Sequence, residues 1–139
     1  MAKVHDEAGL DDADYAALAQ FRHTLRQFQA FSESRAAACG LTPQQHQALL
    51  AIRAAPAGRA SIGYVAERLI LKPHSASGLV ERLETLGLLE RSASPDDRRQ
   101  IQLALTDRAR GVLASLSATH REEIRRLRPM LADLLARLG

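Results

Sequence analysis

Apolar residues recur at three- and four-residue steps from Leu18 through Phe21, Leu25 and Phe28 to Phe31. This spacing predicts an amphipathic helix from about Asp12 to Ala38. Asp11, Asp12 and Asp14 place negative charge at its start, where the helix dipole favours it, and Gly40 ends it. Thr42, Pro43 and Gln45 then form a helix start: a hydroxyl N-cap, a proline at the first helical position and a capping-box glutamine. Leu49, Leu50 and Ile52 are the expected buried side of this second helix, which Pro56 and Gly58 close. Residues 59–61 form a connector or a minimal third strand. Ser61 caps a further helix whose inner face is Ile62, Val65, Ala66 and Leu69. Ile70, Leu71 and Lys72 make a turn.

Pro73 opens the next helix, which runs to about Leu86 with a core stripe of Leu79, Val80, Leu83 and Leu86. Gly87 ends it and is the position in this motif where a left-handed residue is expected. Leu88 to Ser92 reads as a strand. Ile101, Leu103 and Leu105 alternate with polar or small residues, the signature of a half-buried strand. Ser94, Pro95, Asp96 and Asp97 supply the turn between the two. A helix starts at Thr106–Asp107 and runs to about His120. A final stripe of Ile124, Leu127, Leu131, Leu134 and Leu138, widened by Leu135, has the spacing of a heptad seam. Pro129 is expected to kink or split this last segment, because it removes a helical hydrogen bond.

The predicted fold is mainly α with a small β wing, in one domain. Residues 41–106 form a winged helix-turn-helix lobe. Residues 10–40 and 107–139 carry apolar stripes beyond what a unit of that size needs, which predicts a homodimer built on these terminal helices. In such a motif the second helix enters the major groove and meets base edges with its first residues. His74, Ser75 and Ser77 sit at that end, with Lys72 just before and Arg82 further along. Short hydroxyls permit close approach, and a cation or imidazole reaches a base or a phosphate. Arg98 and Arg99 put two permanent cations on the wing tip beside Asp97, where there is no core for them to support. Lys72, His74, Ser75, Ser77, Arg82, Arg98 and Arg99 are therefore the expected contacts to a double-stranded DNA operator, and Ser61 is expected beside them.

Composition narrows this picture. The 139 residues are 46% hydrophobic, enough for a core, while aromatics are 4% with no Trp, which argues against a stacking platform for single strands. The net charge of +3 is modest, but of 19 cations all except Lys3 and Lys72 are arginine, the side chain best suited to bridging phosphate or guanine. High-GC coding would produce the same bias. The single Cys39 excludes an internal disulfide framework. Residues 1–10 lack the apolar core of a signal peptide, and no apolar run has the length of a membrane span, so the expected location is the cytoplasm.

Enzyme chemistry finds no support: there is no nucleophile elbow, no phosphate-cradling glycine loop and no paired carboxylates in a pocket. Asp96 and Asp97 belong to an exposed turn among arginines. No cofactor or metal is expected, because His23, His46 and His120, with Cys39 or Glu33, lack the short spacing of a zinc module. A winged helix turned protein-interaction module is the rival reading. The cations of the reading face favour DNA over it.

The stretch GLVERLETLGLLERSASPDDRRQIQLALT resembles the MarR family of bacterial transcriptional regulators: recognition helix, glycine, strand, wing with aspartate and arginine, and a strand ending in Leu-Thr. Leu41 and Thr42 with Gln45 and Leu49 resemble the start of that family's second helix, and the resemblance extends over residues 12 to 138. It implies a homodimer on a pseudo-palindromic operator, with Arg99 in the minor groove and Asp97 holding an arginine in place. It also implies repression relieved by a small aromatic or anionic effector. His46 lies where that family borders its ligand pocket, with His23 and Phe31 as companions; an effector contact and a core histidine are both open for it. Some members sense oxidants through a cysteine near the start of the first helix. Cys39 lies instead at a helix C-terminus, where the dipole opposes a thiolate. Ser94 and Ala109 stand where the family often has aspartate and glycine.

Overall fold

A computed structural model describes residues 4–93 and 101–138. The order of elements is α1 (Asp12–Ala38), α2 (Pro43–Ala54), α3 (Ile62–Leu69), α4 (Pro73–Thr85), β1 (Leu89–Ala93), β2 (Ile101–Leu105) and α5 (Asp107–Leu138). The fold is a winged helix-turn-helix with long N- and C-terminal helices. Asp97, Arg98 and Arg99 lie outside the described residues.

The chain divides into two compact units, residues 35–117 and residues 1–34 with 118–139. The division falls inside both α1 and α5. The winged-helix unit therefore includes the end of one helix and the first eleven residues of the other. Ala36, Ala109, Leu113 and Leu116 are accordingly buried in its core beside Leu49, Val65, Val80 and Leu83.

Local signals build this unit. Thr42 accepts from the Gln45 amide at 3.1 Å while the Gln45 side chain accepts from the Thr42 amide at 3.0 Å, which satisfies two orphan donors of α2. Ser61 caps α3 by accepting from the Tyr64 amide at 3.1 Å. The buried face of α2 is Gln45, His46, Ala48, Leu49 and Ile52, and Leu50, expected inside, is 47% exposed. Residues 45, 48, 49 and 52 share one face at 100° per residue, and Leu50 is turned away from it.

Two positions around the helix-turn-helix depart from expectation. Ile70 is left-handed, with φ 55° and ψ 50°, although glycine is the usual residue for this conformation. It closes α3: the Leu71 amide reaches back to the Ala66 carbonyl at 2.9 Å, which requires the chain to reverse at Ile70. Leu86, assigned to the core stripe of α4, is exposed. It lies past the last helical residue, and Gly87 at φ 74° turns the chain so that Leu88 is buried instead. The Leu88 amide donates to the Leu83 carbonyl at 2.9 Å across this turn.

The wing is an antiparallel pair with Leu89 opposite Leu105 and Ala93 opposite Ile101. Leu103 and Leu105 are buried as expected, but Ile101 is exposed, because the far half of the hairpin extends past the core. The connector does not form a third strand; it touches the sheet at Ala60.

In the other unit, α1 begins with a reciprocal pair: the Asp14 amide donates to the Asp11 carboxylate at 2.9 Å and the Asp11 amide to the Asp14 carboxylate at 3.0 Å. Ala17 and Thr24 are buried here, together with His120 and Leu134 of α5. Leu18, Phe21 and Leu25 of the predicted stripe are 41%, 42% and 43% exposed. Thr24 donates back to the Gln20 carbonyl at 2.8 Å and contacts the Met130 sulfur at 3.3 Å. His120 of α5 lies 2.7 Å from the Ser32 hydroxyl, with the Phe28 and Phe31 rings edge-on to it. The segment is not split at Pro129: α5 is one helix of 32 residues. Proline removes a single donor, and the hydrogen-bond ladder resumes on either side.

Candidate nucleic-acid interface

The two faces of α4 differ in chemistry. Ala76, Val80 and Leu83 are buried, with Leu79 partly so. His74, Ser75, Ser77, Gly78, Glu81 and Arg82 are exposed. A helical period places His74, Gly78 and Arg82 along one line, with Ser75 and Glu81 beside it. Lys72 occupies the N-cap position without a side-chain hydrogen bond, and Pro73 follows at the first helical position. The first turn of α4 thus has no side-chain cap, beside an exposed lysine.

Arg82 is exposed and makes no ion pair with a described residue. Its neighbour on the helix, Glu84, is engaged elsewhere: it forms an ion pair with Arg91 of β1. Arg91 is opposite Leu103 in the hairpin, so both belong to the face of the sheet turned toward the core. It lies beyond the core's edge and meets Glu84 there. The wing root is further tied to the end of α4. Arg108 donates to the Leu86 carbonyl at 3.2 Å and the Thr106 hydroxyl to the Gly87 carbonyl at 2.8 Å. Sequence reasoning missed Arg91 and Arg108, and Glu84, by sequence a candidate partner of Arg82, pairs with Arg91 instead. Strand alternation would have put Arg91 on the core face, an unusual place for a cation without a partner, and is the one signal that could have drawn notice.

Ser61 has one lone pair committed to the cap of α3 and retains its hydroxyl proton as a donor. It lines an open cleft of about 700 Å³ with Arg59, Tyr64, Glu67, Ile101 and Gln102, between the start of α3 and the first residues of β2. None of the residues expected to meet an effector lines it. His23 is exposed on α1, Phe31 packs on His120, and His46 is buried in α2 of the winged-helix unit. Cys39 is exposed. Among the described residues no cluster of three His, Cys, Asp or Glu side chains has metal-holding geometry.

The MarR family model matches residues 40–100, which span the second helix, the helix-turn-helix and the wing. A crystal structure of a probable transcriptional regulator from Pseudomonas aeruginosa is 31% identical, covering 86% of this chain and 93% of that one with a TM-score of 0.62. The chain belongs to the MarR family. It has the fold of MarR-family transcriptional regulators. The HTH-type transcriptional repressor MdtR of Bacillus subtilis is 35% identical over 68 residues, 49% of this chain. The match spans 43% of that relative's length. The MepR–DNA complex of S. aureus is similar in fold, with a TM-score of 0.67 at 19% identity over 86% of this chain and 93% of that one. No described helix of this MarR-family chain is long and apolar enough to cross a membrane.

Proposed function

We propose that this MarR-family chain is a sequence-specific DNA-binding repressor that acts in the cytoplasm as a homodimer on a pseudo-palindromic operator. The observation that carries the reading is the exposed polar face of α4. His74, Ser75, Ser77 and Arg82 are presented to solvent on a helix whose opposite face is anchored in the core. Hydroxyls and an imidazole near the helix start suit base edges, and Lys72 and Arg82 suit phosphates. Arg98 and Arg99 would add wing contacts, with Asp97 orienting one of them. The relatives add support: MepR has been solved with DNA, and MdtR is named a repressor.

The dimer reading is supported by α1. Leu18, Phe21 and Leu25 present an apolar face to solvent on one protomer, which a second copy would cover. In this reading residues 10–40 and 107–139 dimerise and residues 41–106 bind DNA. A small aromatic or anionic effector meeting His23, Phe31 or His46 would release the operator if it preferred a dimer with mis-spaced α4 helices. The loss of operator affinity would equal the ratio of its affinities for the two states.

The test is a mobility shift with DNA from the protein's own promoter region, with competitor DNA and at two salt concentrations. A shift that survives competitor, with a footprint of two half-sites, supports the reading. Weak, salt-sensitive binding that ignores sequence, on this DNA and on genomic fragments, overturns it and favours a protein-interaction module.

A further inference from the structure

We infer that Gly78 is a specificity-determining position of α4: a point where the helix backbone itself, and not a side chain, lies against the edge of a base pair. The inference rests on the DNA-binding reading and names how its recognition helix makes contact. Glycine is among the least favoured residues in a helix interior, so its presence in the sixth position of a 13-residue helix calls for a physical reason. Two ordinary reasons fail. The backbone is right-handed here, so no unusual dihedral demands glycine. Packing does not demand it either: a Cβ built on Gly78 meets nothing within 4 Å. The protomer would accept alanine and gain stability from it.

What glycine does provide is a gap in the reading face. Gly78 lies one turn after His74 and one turn before Arg82, and Ser75 is on the same side. The three polar side chains thus surround a place where the surface drops to the backbone. A helix with such a gap can approach the floor of the major groove more closely at that place than one carrying any side chain there. The flanking hydroxyl and imidazole are brought within reach of neighbouring base edges. The ligand is the edge of a base pair in double-stranded DNA, seated in van der Waals contact with the α4 backbone. A methyl group at Gly78 would hold the helix off and disturb those neighbours together.

The experiment compares full-length wild-type protein with Gly78→Ala. Preferred sequences are selected from random duplexes by the wild type. Both proteins are then titrated with the selected duplex and with an unrelated duplex, and thermal unfolding is recorded. The expected result is a melting temperature raised by about 2–4 °C. Binding to the unrelated duplex is unchanged, because phosphate contacts dominate it. Affinity for the selected duplex falls by about 5- to 150-fold, the range of one lost base-pair contact. Selection by Gly78→Ala should then return a different consensus. If Gly78→Ala binds the selected duplex within about twofold of wild type and returns the same consensus, Gly78 has no reading role and DNA binding stands. A uniform loss on both duplexes with a lowered melting temperature also overturns the inference, by assigning the glycine to the fold. If the wild type selects no sequence at all, the DNA-binding reading fails and takes this inference with it.

Discussion

The amide of Leu103 donates to the carbonyl of Ala60 at 2.7 Å. This single rung joins the connector before α3 to the inner strand of the wing, and the Gln102 side chain adds a second tie by donating to the Gly58 carbonyl at 2.9 Å. The start of the helix-turn-helix and the root of the wing are therefore one mechanical unit. Gln102→Ala should remove the side-chain tie at a cost of at most about 1 kcal/mol. Hydrogen exchange is the sensitive readout: the Leu103 amide should exchange faster while amides of α2 keep their protection. Equal protection at Leu103 in both proteins would show that the backbone rung stands without the side chain.

Ile70 carries a removable strain. A left-handed L-residue costs roughly 1–2 kcal/mol, and the Ile70 side chain is 92% exposed, so little burial is lost on deleting it. Against this, glycine adds about 0.4–1 kcal/mol of unfolded-state entropy. Relief of strain wins, and Ile70→Gly should stabilise the protein by about 0.5–1 kcal/mol. A urea denaturation curve with a midpoint at or below that of the wild type would refute the strain.

Arg82 is exposed on the outward face of α4 with no ion pair to a described residue, while Glu84 is taken by Arg91. Arg82→Ala should change folding stability by less than about 0.5 kcal/mol. If Arg82 neutralises a phosphate, the slope of log affinity against log salt should become shallower by about 1. Fluorescence anisotropy across a salt series measures it, and an unaltered slope would take Arg82 off the phosphate backbone.

Leu25 tests the proposed dimer. It is exposed beside Phe21 and Leu18, so a charge there costs the protomer little but would be buried without a partner in a dimer. Leu25→Glu should sediment as a monomer at concentrations where the wild type is dimeric, with an unchanged helical circular dichroism signal. A dimer that persists in the variant would move the interface away from this face of α1.

Features encoded within a few residues were legible in the sequence. Thr42, Pro43 and Gln45 announce α2, Ser61 announces α3 and Gly87 ends α4, because a cap is a contact between near neighbours. The span of α1 was readable from periodicity for the same reason. The apolar spacing of Leu79, Val80 and Leu83 marks them as core, and the structure places Val80 and Leu83 there with Leu79 at its margin. With them, the polar residues of α4 were identified as its outward face.

Other features depend on segments far apart in the chain, and local pattern carries little of them. Leu50 is as apolar as Leu49, and what packs against α2 decides which of them is buried. Arg91 reads as one more surface cation until α4 brings Glu84 to it. Nothing in the residues around Ile70 demands a left-handed conformation; the need to close α3 and redirect the chain into α4 imposes it. Gly78 is a helix-weakening residue by sequence, and only the open space around it removes packing as the cause. Propensity and capping act over one helical turn, whereas burial, ion pairing and strain are set by whatever the folded chain brings alongside.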